Sequence, residues 1–420
     1  MRQTISRRDL LFGGVSTALV AAAPGPKRPN ILFIMVDEMR WDAMSCAHHP
    51  VVGTPNLDRL ASEGTRFANA YTVGPVCCPS RASVFSGRYV HVHGVTQNEM
   101  PAHDGEIFLP SILRYYGYHT AISGKLHYRP ERFSYGFDQF WTFTREGPTP
   151  ELGYMAFLQK KYGSPAKWPI VPGTCPWPDD VLGRDVGLFR YPEADYETDW
   201  IAAHALDYLR SRKDNPQPWF LFTSFLKPHS PSVEPKPYFD KYDPQTIPVP
   251  KLPPNMKEIR APLRGQARRH FIDDEQMLRR ISGIYYGAIN HVDRHVGQIL
   301  SELDRLGMAN WKDRCYSQLA TAMVRTPQWK FIDLSQNLSA GFELYDMRND
   351  PKEERNLAAE PKNRDFIEDC KRQLTAWRAD KPAPVKIAGM PTPDYAFISD
   401  QERSQLQRHV PERRQRRMRN

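Results

Sequence analysis

The chain has 420 residues, of which 40% are hydrophobic and 25% are charged, so global disorder is excluded and a packed core is expected. The length suits one large α/β domain or two of ordinary size, and no apolar run reaches the ~18 residues of a membrane span. The formal charge of +9 would favour a nucleic-acid partner only if it were spread over the body of the chain.

The positive charge is concentrated at the two ends of the chain. Residues 401–420 carry seven arginines against two glutamates, and residues 1–23 carry three arginines against one aspartate. The remainder has a net charge of only +2, so we expect no nucleic-acid partner. The Arg-rich tail is typical of a solvated, disordered end, although it would also suit an anionic polysaccharide.

Residues 1–23 resemble a twin-arginine export signal. Arg7-Arg8 precede an uncharged stretch over 10–23, which is too short for an anchor and ends in three alanines that suit a signal peptidase. The sequence therefore predicts a periplasmic or secreted protein of a bacterium that uses the twin-arginine export machinery. Disulfides are permitted there, but the six cysteines have no metal-binding spacing.

After this segment, strands and helices alternate. The apolar run 31–36 predicts a strand buried on both faces of a parallel sheet, and Thr54-Pro55 predicts the N-cap and first turn of a helix that stops at Gly64. A further helix should open just after Cys77. Helices are also predicted over 109–116, 196–212 and 275–306, strands over 119–123 and 219–225, and a loop without regular structure over the proline-rich 228–254. The alternation favours a layered α/β fold.

Three polar residues each follow a predicted strand by a few positions: Asp37, Lys125 and His229. Because the carboxyl ends of parallel strands meet at one edge of a sheet, we expect these side chains to lie close together.

The segment Cys77-Cys78-Pro79-Ser80-Arg81, followed by Ser86-Gly87-Arg88, resembles the maturation motif Cys-x-Pro-Ser-Arg of the sulfatase family. The resemblance implies that a formylglycine-generating enzyme oxidises Cys77, leaving Cys78 as the variable residue, and that Arg81 orients the formylglycine. The hydrated aldehyde has one hydroxyl to attack sulfur and a second to expel sulfate later. The N-terminus of the helix that opens there favours an anion such as sulfate.

The resemblance extends to a metal site and to further site residues. It implies that Asp37, Glu38 and the oxidised Cys77 bind Ca²⁺ (or Mg²⁺), although family members often carry a second Asp where this chain has Glu38. Gly124-Lys125-Leu126-His127 matches the Gly-Lys-x-His of the family, in which the lysine binds a sulfate oxygen and the histidine assists the formylglycine hydroxyl. Lys227-Pro228-His229-Ser230-Pro231 matches a turn whose histidine lies near the leaving oxygen as a general acid. Asn98 and Lys227 are assigned to substrate binding.

The implied architecture is the alkaline phosphatase/sulfatase-like layered sheet with helices on both faces and a smaller C-terminal subdomain. We expect the catalytic domain over 29–308, the subdomain over 309–400 and the tail over 401–420. Residues 323–332 and 343–357 resemble the late structural segment of the family. His291, Asp293 and His295, on the long predicted helix, are interpreted as structural.

One part of the family pattern is absent from the sequence. After Gly307 the pattern requires a strand that ends in Asp-His-Gly or Asp-Asn-Gly, followed by a lysine, yet residues 308–322 contain neither motif. The sequence therefore predicts a metal site that lacks two of its usual ligands, and a missing strand would expose an apolar sheet edge.

The predicted activity is hydrolysis of a sulfate monoester, on a sulfated carbohydrate or an aryl sulfate. Two alternatives stay open: an impaired or inactive relative that still binds sulfated ligands, or the product of a damaged gene, and a phosphonate or phosphate ester hydrolase. The loop over 142–177, with Trp141, Tyr154 and other aromatic and basic side chains, should shape the leaving-group pocket together with the proline-rich stretch.

Overall fold

A computed structural model describes most of residues 29–308, the predicted catalytic domain. The described residues are 28–64, 66–67, 70–143, 150–163, 169–172, 174, 186–249, 275–309, 323–325, 328–333, 342–346, 348–350, 355–379, 387–393 and 398–405. The predicted export signal, residues 310–322 and most of the Arg-rich tail lie outside this set.

The centre of the fold is a four-stranded parallel sheet in the order β1-β5-β2-β3. Its strands are β1 (Ile31–Asp37), β2 (His119–Gly124), β3 (Gln139–Thr142) and β5 (Trp219–Pro228). A two-stranded parallel sheet joins β4 (Val186–Leu188) to β6 (Ser232–Glu234), and a three-stranded antiparallel sheet contains β7 (Met323–Arg325), β8 (Trp329–Asp333) and β9 (Phe342–Asp346).

Helices connect and cover these strands. They are α1 (Pro55–Glu63), α2 (Cys77–Ser86), α3 (Val90–His93), α4 (Leu109–Tyr115), α5 (Tyr154–Tyr162), α6 (Glu197–Ser211), α7 (Lys236–Phe239), α8 (Glu275–Arg305) and α9 (Arg364–Ala379). Within the described chain, no helix combines the length and apolar composition needed to cross a bilayer.

Strand β5 shows why the sheet carries helices on both faces. Every residue of β5 is buried, and successive side chains point to opposite sides, as in any strand. Phe220 and Phe222 belong to the core that contains Phe85 of α2, whereas Leu221 and Phe225 belong to the core formed with α6 and α8. The predicted layered α/β architecture is therefore confirmed.

A small separate core lies at the C-terminal end of the described chain. Phe331 of β8 and Leu344 of β9 pack against Ile367 and Cys370 of α9. This unit fits the smaller C-terminal part expected from the sequence.

Strand β1 differs from its prediction. The sequence predicted a strand buried on both faces, but Ile31–Ile34 are only half-buried, and among the described residues β1 pairs with β5 alone. An apolar run indicates that a segment forms a strand of a sheet, but it does not indicate whether another strand pairs with it on each side. The half-buried apolar side chains agree with the apolar edge expected from a missing strand.

The proline-rich stretch also differs, because it contains β6, α7 and a 3-10 turn at Pro244–Thr246 instead of being entirely irregular. Strand β6 owes its pairing to β4, which lies more than forty residues earlier and is invisible to a local pattern. Pro237 occupies the first turn of α7, where a proline lacks no hydrogen bond that the helix needs.

Helix α1 begins at Pro55 as predicted, but Thr54 does not cap it with its side chain. The carboxylate of Asp293 on α8 does so, accepting hydrogen bonds from the backbone N–H of Leu57 at 2.8 Å and from Asn56 Nδ2 at 2.9 Å. The structural interpretation of Asp293 is thus confirmed: it joins two helices that lie more than 200 residues apart in sequence.

Candidate active site

The three polar residues that follow strands do meet at one edge of the sheet. Asp37 ends β1, Lys125 follows β2, and His229 follows β5, with Cys77 as the first residue of α2. Ligand atoms of Asp37, Cys77 and His229 all lie within 4.8 Å of one another. Lys125 Nζ donates a hydrogen bond to Asp37 Oδ2 and lies 3.4 Å from Cys77 Sγ.

The two adjacent cysteines occupy different surroundings. Cys77 Sγ is partly exposed and lies 3.9 Å from each carboxylate oxygen of Asp37. Cys78 is buried, donates its S–H to the backbone oxygen of His127 at 2.9 Å, and burial raises its pKa to about 12. Only Cys77 faces the polar cluster, which agrees with the residue chosen from the motif spacing.

The thiol of Cys77 is a poor nucleophile as it stands. Burial raises its pKa above the usual value, and the charge of Asp37 adds to that effect while Lys125 opposes it. Since the thiolate is the reactive form of cysteine, a protonated Cys77 is chemically quiet at neutral pH. The site therefore brings the side chain of residue 77 to the polar cluster but does not favour the reactive thiolate form of a cysteine there.

Two cations surround the single carboxylate of Asp37. The guanidinium of Arg81 is 1% exposed, and its Nη2 lies 3.6 Å from Asp37 Oδ2. Burial alone would raise the pKa of Asp37, but Arg81, Lys125 and His229 hold it below its usual value. With Asp37 ionised, the group formed by Arg81, Lys125 and Asp37 has a net positive charge, which suits an anion at the N-terminus of α2.

Arg81 also has donor capacity to spare. Its Nη1 is bound to the backbone oxygen of Lys125 and to Ser224 Oγ at 2.9 Å, which fixes the plane of the guanidinium. Its Nη2 is buried and has no hydrogen-bond acceptor in range within the described part of the chain. An oxyanion beside residue 77 would satisfy this donor.

His127 lies next to the cluster and is held by Glu99, with 3.5 Å between its Nε2 and Glu99 Oε1. Burial lowers the pKa of His127 to about 4 even though Glu99 opposes the shift, so its ring is neutral at neutral pH. Asn98 Oδ1 accepts a hydrogen bond from the backbone N–H of Cys78 at 2.9 Å. Asn98 thus holds the first turn of α2 rather than standing apart from it.

His229 and Glu38 form a pair at the open side of the cluster. Glu38 Oε1 lies 3.3 Å from His229 Nε2, and the Glu38 side chain is 54% exposed. Burial and the charge of Lys125 lower the pKa of His229, against the opposing influence of Glu38 and Asp37. His229 is therefore mostly neutral at neutral pH in the free protein.

Lys227 lies in a different place from the other predicted site residues. Its ammonium is buried, donates to the backbone oxygen of Pro231, and lies 3.6 Å from Glu197 and 3.9 Å from Glu234. Tyr154, expected at the leaving-group pocket, is likewise fully buried and donates to the backbone oxygen of Asp195. Much of the predicted pocket loop lies outside the described residues.

Sequence reasoning missed two residues that support the cluster. Glu99 holds His127, and Ser224 holds Arg81. Glu99 has a φ of +70°, which is unusual for a residue other than glycine. No sequence signal marks either residue, because each acts on a partner that lies far away in the chain.

The described donors fit a divalent cation in kind but not in number. Asp37 offers carboxylate oxygens, and oxidation of Cys77 would replace a sulfur by oxygen, which is the donor that Ca²⁺ and Mg²⁺ prefer. The predicted ligand Glu38 contacts His229 and lies outside the group of ligand atoms that Asp37, Cys77 and His229 form. A calcium ion takes six to eight oxygens, and the described residues at this place supply fewer than that.

Comparisons with known proteins point to one family. The sulfatase family model matches residues 29–310. An arylsulfatase of Clostridium perfringens is 33% identical over 301 residues, covering 67% of this chain and 61% of the relative, and a choline-sulfatase of Rhizobium meliloti is 28% identical over 295 residues, covering 67% and 55%. The chain thus spans little more than half the length of these curated relatives.

Solved structures show the same fold. A phosphonate monoester hydrolase of Agrobacterium radiobacter superposes with a TM-score of 0.66 at 19% identity, over 84% of this chain and 96% of the other. That likeness concerns the fold, whereas the family match covers the segments that carry Asp37, Cys77, Lys125 and His229. From the match and from the meeting of these residues at one sheet edge, we conclude that the chain belongs to the sulfatase family.

Proposed function

We propose that this protein hydrolyses sulfate monoesters, on a sulfated carbohydrate or an aryl sulfate, with Cys77 oxidised to formylglycine by a formylglycine-generating enzyme. The observation that carries the proposal is the position of Cys77 at the start of α2, 3.4 Å from Lys125 Nζ and 3.9 Å from both oxygens of Asp37. The raised pKa of the unmodified thiol supports a need for modification.

The residues of the site would share the work as follows. Lys125 and the spare Nη2 of Arg81 bind sulfate oxygens, and their charges oppose the negative charge that develops on them. His127 Nδ1 is buried without a partner among the described residues, so it can accept a proton from a hydroxyl at residue 77. The hydrated formylglycine supplies one hydroxyl for attack on sulfur and a second for the later release of sulfate.

His229 lies on the open side of the cluster, where the leaving oxygen of the ester would emerge. Its ring can deliver a proton to that oxygen, and Glu38 Oε1, 3.3 Å from Nε2, is placed to steady the protonated ring. Asn98 contributes by fixing the first turn of α2, and with it the direction in which residue 77 points.

We propose Ca²⁺ (or Mg²⁺) as the metal, held by Asp37, Glu38 and the oxygen of the oxidised residue 77. Such an ion would polarise the bound sulfate. If the ion takes part, a chelator should abolish sulfate release and added Ca²⁺ should restore it. Full activity in a metal-free, chelator-treated preparation would show that Lys125 and Arg81 do this work without it.

The proposal is tested with full-length protein produced together with a formylglycine-generating enzyme. Mass spectrometry of the peptide that contains residue 77 should show an aldehyde in place of the thiol, and sulfate should be released from an aryl sulfate. Cys77→Ala should lose both properties, whereas Cys78→Ala should keep both and lose only stability, by about 1 kcal/mol.

Two outcomes would replace the proposal by one of its alternatives. Formylglycine at residue 77 without turnover, but with saturable binding of sulfated ligands, would identify a binding relative that has lost catalysis. Faster cleavage of phosphonate or phosphate esters than of sulfate esters would identify a hydrolase of those substrates, since both classes present tetrahedral anions to the same cations.

We also propose that residues 1–23 direct export through the twin-arginine machinery to the periplasm or the exterior. The support is the Arg7-Arg8 pair before a short uncharged stretch. Replacing both arginines by lysine should leave the protein in the cytoplasm of a bacterial host, as shown by cell fractionation. Unchanged export of that variant would contradict the proposal.

A further inference from the structure

A second group of ligand side chains lies away from Cys77, where α6, α8 and β6 meet. His291 Nε2 is 2.7 Å from Asp199 Oδ2, and His295 Nε2 is 3.1 Å from Asp199 Oδ1. The three ligand atoms lie within 4.8 Å of one another. His291 and His295 are 0% and 4% exposed, and the Asp199 side chain is 12% exposed.

The two histidines are oriented as metal ligands usually are. They are one turn apart on α8, and both turn Nε2 toward Asp199. The opposite nitrogens are held by other groups, with His295 Nδ1 2.8 Å from Gln298 Oε1 and His291 Nδ1 3.5 Å from Glu234 Oε2. Partners of this kind on the far nitrogen fix the ring and the tautomer of a ligating histidine.

The ring of His291 is further fixed by stacking. The ring of Tyr238 lies 3.9 Å from it, centroid to centroid, at an angle of 8°. Side chains from α6, β6 and α7 therefore hold the imidazole of His291 in place before any ligand binds.

Three carboxylates, Asp199, Glu197 and Glu234, lie around this group, with Lys227 and Arg294 as cations beside them. Both ring nitrogens of His291 face carboxylates, so a protonated His291 supplies a third positive charge. A metal ion bound at Asp199 would replace the charge of that proton and leave His291 as a neutral ligand.

The guanidinium of Arg294 occupies the position that such an ion would take. Its Nη2 lies 2.7 Å from Asp199 Oδ1 and 3.1 Å from His295 Nε2, while its Nη1 lies 2.6 Å from Glu193. The Arg294 side chain is 40% exposed, so it can move outward and keep its contact with Glu193.

We propose that Asp199, His291 and His295 form a binding site for a divalent transition metal such as Zn²⁺, with Arg294 as a displaceable cover. Tetrahedral zinc with ligand bonds of ~2.0–2.1 Å separates its ligand atoms by about 3.3 Å, so the observed 2.7 and 3.1 Å need only small outward movements. Two imidazoles and one carboxylate leave the fourth position to water, and the site is independent of the activity at Cys77.

The test uses the full chain with Cys77→Ala, which removes the thiol of the other cluster, titrated with Co²⁺ and with Zn²⁺. We expect one saturable site whose cobalt form shows visible bands without a sulfur-to-cobalt charge-transfer band. Arg294→Ala should bind more tightly, Gln298→Ala should bind about 10- to 100-fold more weakly, and His295→Ala should lose the site. His229→Ala, which alters only the cluster at Cys77, should bind unchanged.

Gln298→Ala and Arg294→Ala change side chains at the rim, so their results count even if His295→Ala fails to fold. Absence of saturable binding in both the Cys77→Ala protein and its Arg294→Ala derivative would overturn the proposal. So would binding that His229→Ala abolishes and His295→Ala leaves intact.

Discussion

At the scale of single residues, the site depends on one carboxylate placed between two cations. Lys125 contacts both Asp37 and Cys77, so it links the charge of the site to the reacting residue. Lys125→Met should lower kcat for an aryl sulfate by about 10²–10³, because a preorganised donor to the developing charge is lost. The same change at the exposed Lys213 should leave kcat unchanged, and equal effects of the two changes would refute the role of Lys125.

The pH dependence of activity should report His229. Burial and Lys125 lower its pKa below the usual 6.5, so the protonated ring is lost at a lower pH than in an exposed histidine. With His229 as general acid, kcat/KM, which reports groups of the free enzyme, should fall as pH rises through a value below 6.5. Glu38→Gln removes a charge that raises the pKa of His229, so this fall in activity should move to lower pH. His229→Gln should abolish the fall. If the fall in activity with rising pH persists in His229→Gln, it reports the titration of another group.

The sequence indicates the residues that meet at the candidate site better than the residues that hold them. Motif spacing predicts that Cys77 rather than Cys78 belongs with Arg81, and the structure brings Cys77 and Arg81 to Asp37, because those relations are local. Glu99 and Ser224 act across the fold and carry no local signal. Lys227 is a near neighbour of His229 in sequence, but β5 ends at Pro228, so the alternation that would put both side chains on one face does not extend to His229. Its ammonium is buried with Glu197 and Glu234 instead.

At the scale of elements, the end of β2 determines how Lys125 enters the site. Gly124 has φ of +111°, and a Cβ there would collide with the carbonyl oxygen of Ser224 in β5. Gly163, at the C-terminal end of α5, also has a positive φ of +63° but has open space around it. The pair therefore compares a positive-φ glycine that β5 crowds with a left-handed glycine that has open space.

We expect Gly163→Ala to cost about 1–2 kcal/mol of unfolding free energy, the cost of a left-handed residue with a Cβ. Gly124→Ala should cost clearly more, because β2 and β5 must separate, and it should also reduce activity by moving Lys125. Urea denaturation and turnover of both variants make the comparison. Equal destabilisation by the two changes would show that the contact with Ser224 is not tight.

The packing of α2 gives a second prediction at this scale. Phe85 is 2% exposed and meets Phe222 of β5 at a centroid distance of 4.8 Å. Phe85→Ala should lower the unfolding free energy by about 3–5 kcal/mol. Phe67→Ala, at a position 48% exposed, should change it by about 0.5 kcal/mol or less. A small effect at Phe85 would mean that the sheet does not fix the helix that carries Cys77.

Alternation along the chain sufficed to predict most elements near the site, including the long α8 and the fully buried β5. It failed where an element depends on a distant partner. Strand β6 pairs with β4, and β1 is half-buried because the described chain pairs it on one side only. Hydrophobic patterns record burial of a segment, whereas the order of strands in a sheet is a property of the whole chain.

At the scale of the whole molecule, the family fold is present while the chain is short. The family match spans 29–310, and the curated relatives are covered over 61% and 55% of their own length. The Asp-His-Gly or Asp-Asn-Gly motif that residues 308–322 lack would add ligands to Asp37 and Glu38 in the proposed metal site. Arg81 lies beside Asp37 and Lys125 lies beside Cys77, so the proposed anion-binding cations are next to the residue proposed to be oxidised.

The central claim is that the residues still present at the site suffice for turnover of a sulfate ester. The most direct measurement is kcat/KM for an aryl sulfate, with full-length protein that mass spectrometry shows to carry formylglycine at residue 77, against Cys77→Ala prepared identically. We expect saturable sulfate release by the matured protein and none above background by Cys77→Ala. Equal rates for the two proteins would contradict it.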